Sequence, residues 1–344
     1  MIRVIGIEMP RTTVAVLYDV WWPHEDHGLP FRADGSELEP PEVHEEVFGA
    51  LKAVGYRPVY VVLDGATAGL TRLARTPASV FFNLTESYGG DDTKDLHVAA
   101  YLELLGKRYT GNGPRALHVG QDKVLAKKLL RFHDIETPDF VAVAPDARIP
   151  RIDLPFPLIV KPAREDGSIG IDTGSVVHET RALRTRIRYV QRAFGTALVE
   201  RYVPGRDIYV GVIGNDPPEP LPLVEVDLSR LPRGVPRIAG TEVKWWKGTE
   251  LYRSTPAVFP TGLSPRLTRR MQNVAVEAYV ALGLRDYGRV DLRLGDDGTI
   301  HVLEVNPNPW LSSQCELIMA WTKTGRSYED LIGHLVELAL SRGR

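Results

Sequence analysis

The sequence predicts an α/β domain on a small parallel sheet, followed by an α+β region made of strand–turn–strand units. Strand and helix signals alternate over residues 1–113. Beyond them, apolar strands come in pairs joined by Gly- and Pro-rich turns, separated by helical stretches. The chain has 344 residues, 43% hydrophobic and 25% charged, which is ordinary globular composition and enough length for two or three compact domains.

In the first region Val14–Tyr18 reads as a strand and Val43–Val54 as a helix. Pro58–Leu63 and Ser79–Asn83 are two more strands, and Leu96–Leu105 is again helical. A strand–helix–strand order of this kind implies a parallel, Rossmann-like sheet with ligand-facing loops at its strand ends. Asn83–Gly90 is one such loop, read either as a substrate contact or as a polar turn. His24-Glu-Asp-His27 follows two tryptophans and packs four metal-capable side chains together. It lacks the helical His-to-His spacing of a zinc protease, so an exposed loop or a lid over a cleft is the better reading. Gly111–Ala116 fits G-x-G-x-x-[GA], but only Arg108-Tyr-Thr precedes it where a strong strand is required. We read it as the turn into the next domain. The expected divisions are 1–113, 114–196 and 197–344.

Ala116–Phe132 reads as one helix with Leu125, Leu129 and Leu130 on its apolar face, and Lys123 on it looks like a surface lysine when taken alone. Leu154–Ile171 closes an apolar strand with Lys161 and runs on through Gly167, Ser168 and Gly170. That arrangement presents a positive charge and backbone N–H groups to an anion such as triphosphate, or else its glycines merely serve a turn. The G-x-x-x-x-G-K-[ST] order is absent, which disfavours P-loop chemistry. Ala197–Gly214 reads as strand, turn, strand, with Glu200 and Asp207 either gripping an adenine edge and a ribose hydroxyl or simply marking edge strands. Gly240–Gly248 sets Lys244 beside Trp245 near a glycine turn, which suggests a mobile flap over a charged ligand; a helix over Pro265–Leu282 follows.

Asp286–Ser313 is the most informative stretch. Val290, Leu292 and Leu294 alternate with Asp291 and Arg293, the period of a half-buried strand, and Asp296-Asp-Gly298 supplies hairpin turn chemistry. The hairpin folds Asp291 towards Glu304 and Asn306, an oxygen-only set suited to Mg2+; the alternative is a solvated hairpin with chance acids. Glu304 lies in an apolar strand (HVLEV), where an unpaired carboxylate is costly. Something cationic is expected against it.

Composition narrows the function classes. Lys+Arg of 42 against Asp+Glu of 44 leaves a charge of −2, with no footprint for nucleic acid or an anionic membrane. A single cysteine, Cys315, excludes a disulfide framework or a multi-cysteine zinc site. No apolar run approaches a membrane span and no signal peptide is evident, so a cytoplasmic protein is expected.

Taken in order from Asp122 to Leu340, these pieces resemble the ATP-grasp ligases, particularly the D-alanine–D-alanine ligase branch. The resemblance implies the ATP-grasp fold and an ATP- and Mg2+-dependent carboxylate–amine ligase, with Mn2+ as a substitute metal. Lys123 and Lys161 then match the lysines on the ATP phosphates, and Gly167-Ser168 the small loop closing over them. Glu200 and Asp207 match the adenine and ribose holders, with Tyr202 and Val203 offering backbone groups to the base. Lys244 matches the flap lysine. Asp291, Glu304 and Asn306 match the ligands of two Mg2+ ions, and Arg289 the arginine that stabilises charge as the carbonyl is attacked.

The departures fall on the substrate side. Trp310 stands where the family has a glycine, Cys315 where it has a serine, and Trp245 where it has a tyrosine; the glycine-rich N-terminal substrate motif is missing. The resemblance therefore implies small-molecule carboxylate and amine substrates that need not be D-alanine, and a homodimer by analogy. The alternatives are a true D-alanine–D-alanine ligase and an ATP-binding regulatory protein without catalysis.

Overall fold

The structure, a computed structural model, describes residues 12–19, 42–244, 246 and 249–342. The His24–His27 segment and Trp245 lie outside the described residues. The chain folds as two compact units: one runs up to Pro114 and resumes at Trp310, and the other is Arg115–Pro309.

The first unit opens with β1 (Thr13–Asp19), α1 (Val43–Ala53), β2 (Arg57–Leu63), α2 (Thr67–Arg75), β3 (Val80–Asn83) and α3 (Asp95–Leu104). The strands form a parallel sheet in the order β2-β1-β3, as the strand–helix alternation predicts. Val14–Leu17 of the central strand are wholly buried. The Asn83–Gly90 loop turns its polar groups inward: Thr85 Oγ1 donates to Asn83 Oδ1 at 2.8 Å and Ser87 Oγ donates to Asp19.

The second unit begins with α4 (Pro114–Gln121) and α5 (Lys123–Phe132), where the sequence predicts one helix. The break has a local cause. Asp122 is extended (φ −103°, ψ 92°), and its carboxylate accepts from the N–H groups of Val124 and Leu125, an N-cap that starts a new helix. Lys123 is thereby placed in a first turn, its N–H bonded to Ala163 O at 3.0 Å.

Next come β4 (Phe140–Val143), β5 (Leu158–Pro162), β6 (Val176–Val177), α6 (Thr180–Phe194) and β7 (Ala197–Arg201). The strands make an antiparallel sheet, β4-β7-β5-β6, against which α6 buries Leu183, Ile187 and Val190. The remainder is β8 (Gly205–Ile213), β9 (Glu219–Pro220), β10 (Val224–Val226), α7 (Thr241–Lys244), α8 (Glu250–Arg253), β11 (Ala257–Val258), α9 (Pro265–Ala281), β12 (Tyr287–Gly295) and β13 (Ile300–Asn306). These strands form a second antiparallel sheet in the order β11-β10-β8-β12-β13, with β9 pairing β8. Met271, Ala275 and Tyr279 of α9 and Leu130 of α5 pack against Val210, Val290, Leu292 and Val302. One face of this sheet is thus closed by helices.

The chain then returns to the first unit with α10 (Glu316–Thr322) and α11 (Tyr328–Ser341). The sequence reading groups residues 310–344 with 197–309, whereas here α11 packs on α1. Leu331, Ile332, Leu335 and Val336 form its buried stripe, and a stripe shows that a helix packs without saying on what. Among the described residues no helix is long and apolar enough to cross a membrane.

Candidate active site

The site is built on the β12–β13 hairpin. Antiparallel register sets Asp291 opposite Glu304 and Arg289 opposite Asn306, with a bulge just after Asp291. Residues 289, 291 and 293 share one face of β12, as strand alternation requires. Arg289 grips its i+2 neighbour in a fork, Nε to Asp291 Oδ1 at 2.7 Å and Nη2 to Oδ2 at 2.9 Å. The cation expected on Glu304 is Lys123, at 3.5 Å. Lys123 also donates to Glu165 O at 2.6 Å and Asp166 Oδ1 at 3.0 Å.

Burial pushes the Asp291 carboxyl up to about 6, Glu304 adding repulsion while Arg289 opposes it. Burial acts the same way on Glu304, but Lys123, Lys244, Lys161 and Arg289 together hold it well below the usual carboxylate range. Two carboxylates that repel each other in a buried place fit a divalent cation, which relieves that repulsion. Among the described residues no group of three or more His, Cys, Asp or Glu could hold a metal. Asp291, Glu304 and the Asn306 carboxamide would together offer a small oxygen set, of the kind Mg2+ takes alongside water and phosphate oxygens. Asn306 Oδ1 accepts from the Asn308 N–H at 3.0 Å.

Lys161, at the end of β5, reaches Glu200 Oε2 at 2.8 Å. The other Glu200 oxygen meets Lys127 of α5 at 2.7 Å. Glu200, expected beside an adenine, thus stands between two lysines. Lys127 was not singled out by the sequence; its signal was only its place one turn after Lys123 on the same helix.

Gly167 and Ser168 both have positive φ, 59° and 66°. Ser168 Oγ donates to Ala239 O at 2.7 Å, and Thr241 Oγ1 donates to Ser168 O at 2.7 Å. Thr241 N–H bonds Ile171 O at 2.8 Å, and Thr173 N–H bonds Glu242 Oε1 at 3.1 Å. Between these bonds, a Cβ on Gly240 would lie 2.9 Å from Ile171 O. Lys244 ends the short helix α7, its ammonium 5.7 Å from the centre of the Tyr209 ring, over which Arg289 also lies at 4.6 Å.

Farther along β12, Arg293 donates to Asp207 Oδ1 at 2.6 Å, Val203 O at 2.8 Å and Arg237 O at 2.8 Å. The Tyr202 N–H is bonded to Pro157 O at 3.0 Å. Arg293 is a second residue the sequence reading passed over, although its position two residues beyond Asp291 placed it on the same face. Thirteen of the expected site residues accordingly lie in one unit. Trp310 and Cys315 belong to the other, where Trp310 is 52% exposed and Cys315 Sγ donates to Trp310 O at 2.8 Å.

Comparison with known proteins identifies the family and the fold. Residues 131–337 match the family described as "D-ala D-ala ligase C-terminus". An uncharacterized protein of Sinorhizobium fredii, y4sG, is 33% identical over 308 residues, covering 87% of this chain and 88% of that protein. The D-alanine–D-alanine ligase of Cupriavidus taiwanensis is 32% identical over 292 residues, covering 83% of each. Among solved structures, D-alanine–D-alanine ligase from Bacillus anthracis complexed with ATP shares the fold, with a TM-score of 0.73 at 21% identity over 96% of this chain and 97% of that one.

Proposed function

The chain belongs to the D-alanine–D-alanine ligase family of ATP-dependent carboxylate–amine ligases, and from that premise we propose that it joins a carboxylate to an amine through an acyl phosphate, on a substrate pair of its own. The observation that carries the reading is the β12–β13 register, which sets Asp291 against Glu304 with Arg289 and Lys123 beside them.

Lys123, Lys161 and Lys244 bind and screen the ATP phosphates, while Gly167 and Ser168 close over them. Tyr202, Val203 and Asp207 face the nucleoside, with Glu200 behind Lys161. Asp291, Glu304 and Asn306 would hold Mg2+, which, when bound, screens phosphate charge during transfer of the γ-phosphoryl group. A carboxylate is a poor electrophile until that transfer makes it an acyl phosphate. The amine then attacks its carbonyl carbon, Arg289 stabilises the oxyanion that forms, and phosphate leaves as the new C–N bond is completed. A closed flap excludes the water that would hydrolyse the intermediate.

By family position, Trp310, Cys315 and Trp245 are our candidates for the residues that set the substrate pair. The test is a screen of amino acids and dipeptides for ADP release, with mass spectrometry of the product. No ADP with any mixture, and no Mg2+–ATP-dependent rise in unfolding temperature, would count against the whole reading. The relatives' own activity supports a second reading, D-alanine–D-alanine ligation, which phosphate release with D-alanine alone would establish. We further propose a homodimer, which light scattering checks as a molar mass twice that of the chain.

A further inference from the structure

The ion pairs behind the phosphate-binding lysines are unevenly shared. Lys127 is 1% exposed, its ammonium 2.6 Å from Thr137 Oγ1 and 2.7 Å from one Glu200 oxygen. Lys161 takes the other Glu200 oxygen at 2.8 Å. Two buried ammonium groups thus share one buried carboxylate. The next carboxylate along, Glu304, is met by Lys123, whose own partners include Asp166. Two buried ammonium groups on one carboxylate repel each other, and an anion beside the outer one, Lys161, would relieve that repulsion.

Lys127 cannot itself touch that anion, because its ammonium donates to Thr137, lies at ion-pair distance from Glu200 and is closed off from solvent. Its influence passes through Glu200. Held by Lys127, the carboxylate offers a single oxygen to Lys161. Released, it would neutralise Lys161 outright.

We propose that Lys127 is a positioning residue for the nucleotide phosphates: by occupying half of Glu200 it leaves Lys161 a partly paired charge that a phosphate group completes. Burial pushes the Lys127 ammonium down to about 8 despite Glu200, with Lys161 adding repulsion, as expected of an ammonium that shares its carboxylate with a second one. The inference rests on the reading of Lys161 as a phosphate ligand. The bland alternative is a structural staple between α5 and β7, which would affect every ligand of the site alike.

The experiment is titration calorimetry of the full chain with adenosine, ADP and a non-hydrolysable ATP analogue in the presence of Mg2+. The proteins are wild type, Lys127→Met, Thr137→Val and, as a charge control, the exposed neighbour Lys128→Met. Lys127→Met is expected to weaken the ATP analogue about tenfold or more, ADP by less, and adenosine hardly at all. Thr137→Val, which removes the acceptor that fixes Lys127, is expected to follow the same order more weakly, and Lys128→Met to match wild type. An equal loss for adenosine and the ATP analogue, or no loss for the analogue, overturns the proposal. If Lys127→Met does not fold, the same ratio in Thr137→Val decides. If wild type binds none of the three ligands, the nucleotide reading itself falls, which is a different result from failure of Lys127's role.

Discussion

Replacing Glu304 by Gln tests the centre of the site while disturbing its shape least. The carboxylate lies 3.5 Å from the Lys123 ammonium. At that separation, with an effective dielectric constant near 20, the gross attraction is roughly 5 kcal/mol, and burial of Lys123 with partial burial of Glu304 offsets much of it. Lys123 is not orphaned by the change, since it keeps Asp166 at 3.0 Å and Glu165 O at 2.6 Å. The net loss of stability should therefore be about 1–2 kcal/mol, or roughly 2–4 °C of unfolding temperature for each kcal/mol. Turnover should suffer far more. Gln halves the carboxylate charge that would face a divalent cation at the hairpin, and losing one preorganised electrostatic group costs about 100- to 1000-fold in kcat. The assay is coupled ADP release with whichever acid and amine support wild-type turnover, run beside a thermal melt. A folded variant with turnover near wild type would falsify the assignment of Glu304 to the metal.

Four further outcomes follow from contacts elsewhere in the chain. Arg293→Met leaves Asp207 buried without its cation, so denaturant unfolding should show a loss of about 3–5 kcal/mol; a small change would mean that solvent reaches the pair. Gly205→Ala should be badly destabilised, by more than about 3 kcal/mol, because at φ 150° its Cβ would lie 2.0 Å from Leu294 O. Gly262→Ala, at φ 73° with nothing near its Cβ, should cost only about 1 kcal/mol, a contrast read from the two unfolding midpoints. The Lys127 ammonium has a folded pKa of about 8 against an ordinary 10.5, so between those values the unfolded chain binds more protons and stability rises with pH. Compared with Lys127→Met, wild type should gain on the order of 3 kcal/mol from pH 8 to pH 10.5. Glu200 and Glu304, the acids nearest Lys127, stay ionised across that window. A gap that stays constant with pH would refute the assignment.

The hairpin was legible because strand alternation and the Asp-Asp-Gly turn fix which side chains face each other, so Asp291 opposite Glu304 followed from local pattern. The parallel sheet was legible from the order of strand and helix signals, which requires crossover connections. Lys127 was not. On one helix a buried lysine and a surface lysine look alike, and what separates them is Glu200, supplied by a strand 73 residues away in sequence. Arg293 met the same obstacle, its partner Asp207 lying on the neighbouring strand β8. The division between α4 and α5 shows the opposite error. Helical periodicity runs through Asp122 unbroken, but its carboxylate caps the helix that follows rather than joining the one before. The position of Trp310 and Cys315 in the first unit was hidden because no local pattern tells a chain to return to a domain it has left.

The hydrogen bonds between the Gly167-Ser168 loop and the segment leading to Lys244 bear on how the enzyme lets go of its ligands. Four bonds join Ser168, Ile171 and Thr173 to Ala239, Thr241 and Glu242. At about 0.5–1.5 kcal/mol net apiece, parting them costs roughly 2–6 kcal/mol, so the two segments retract together or hardly at all. If these segments cover the nucleotide as proposed, departure of ADP is expected to be one concerted event, with its rate set partly by protein-to-protein bonds that change nothing in the chemistry. Thr241→Val, which deletes one of them, should leave the bond-making step alone and shorten the residence time of the product.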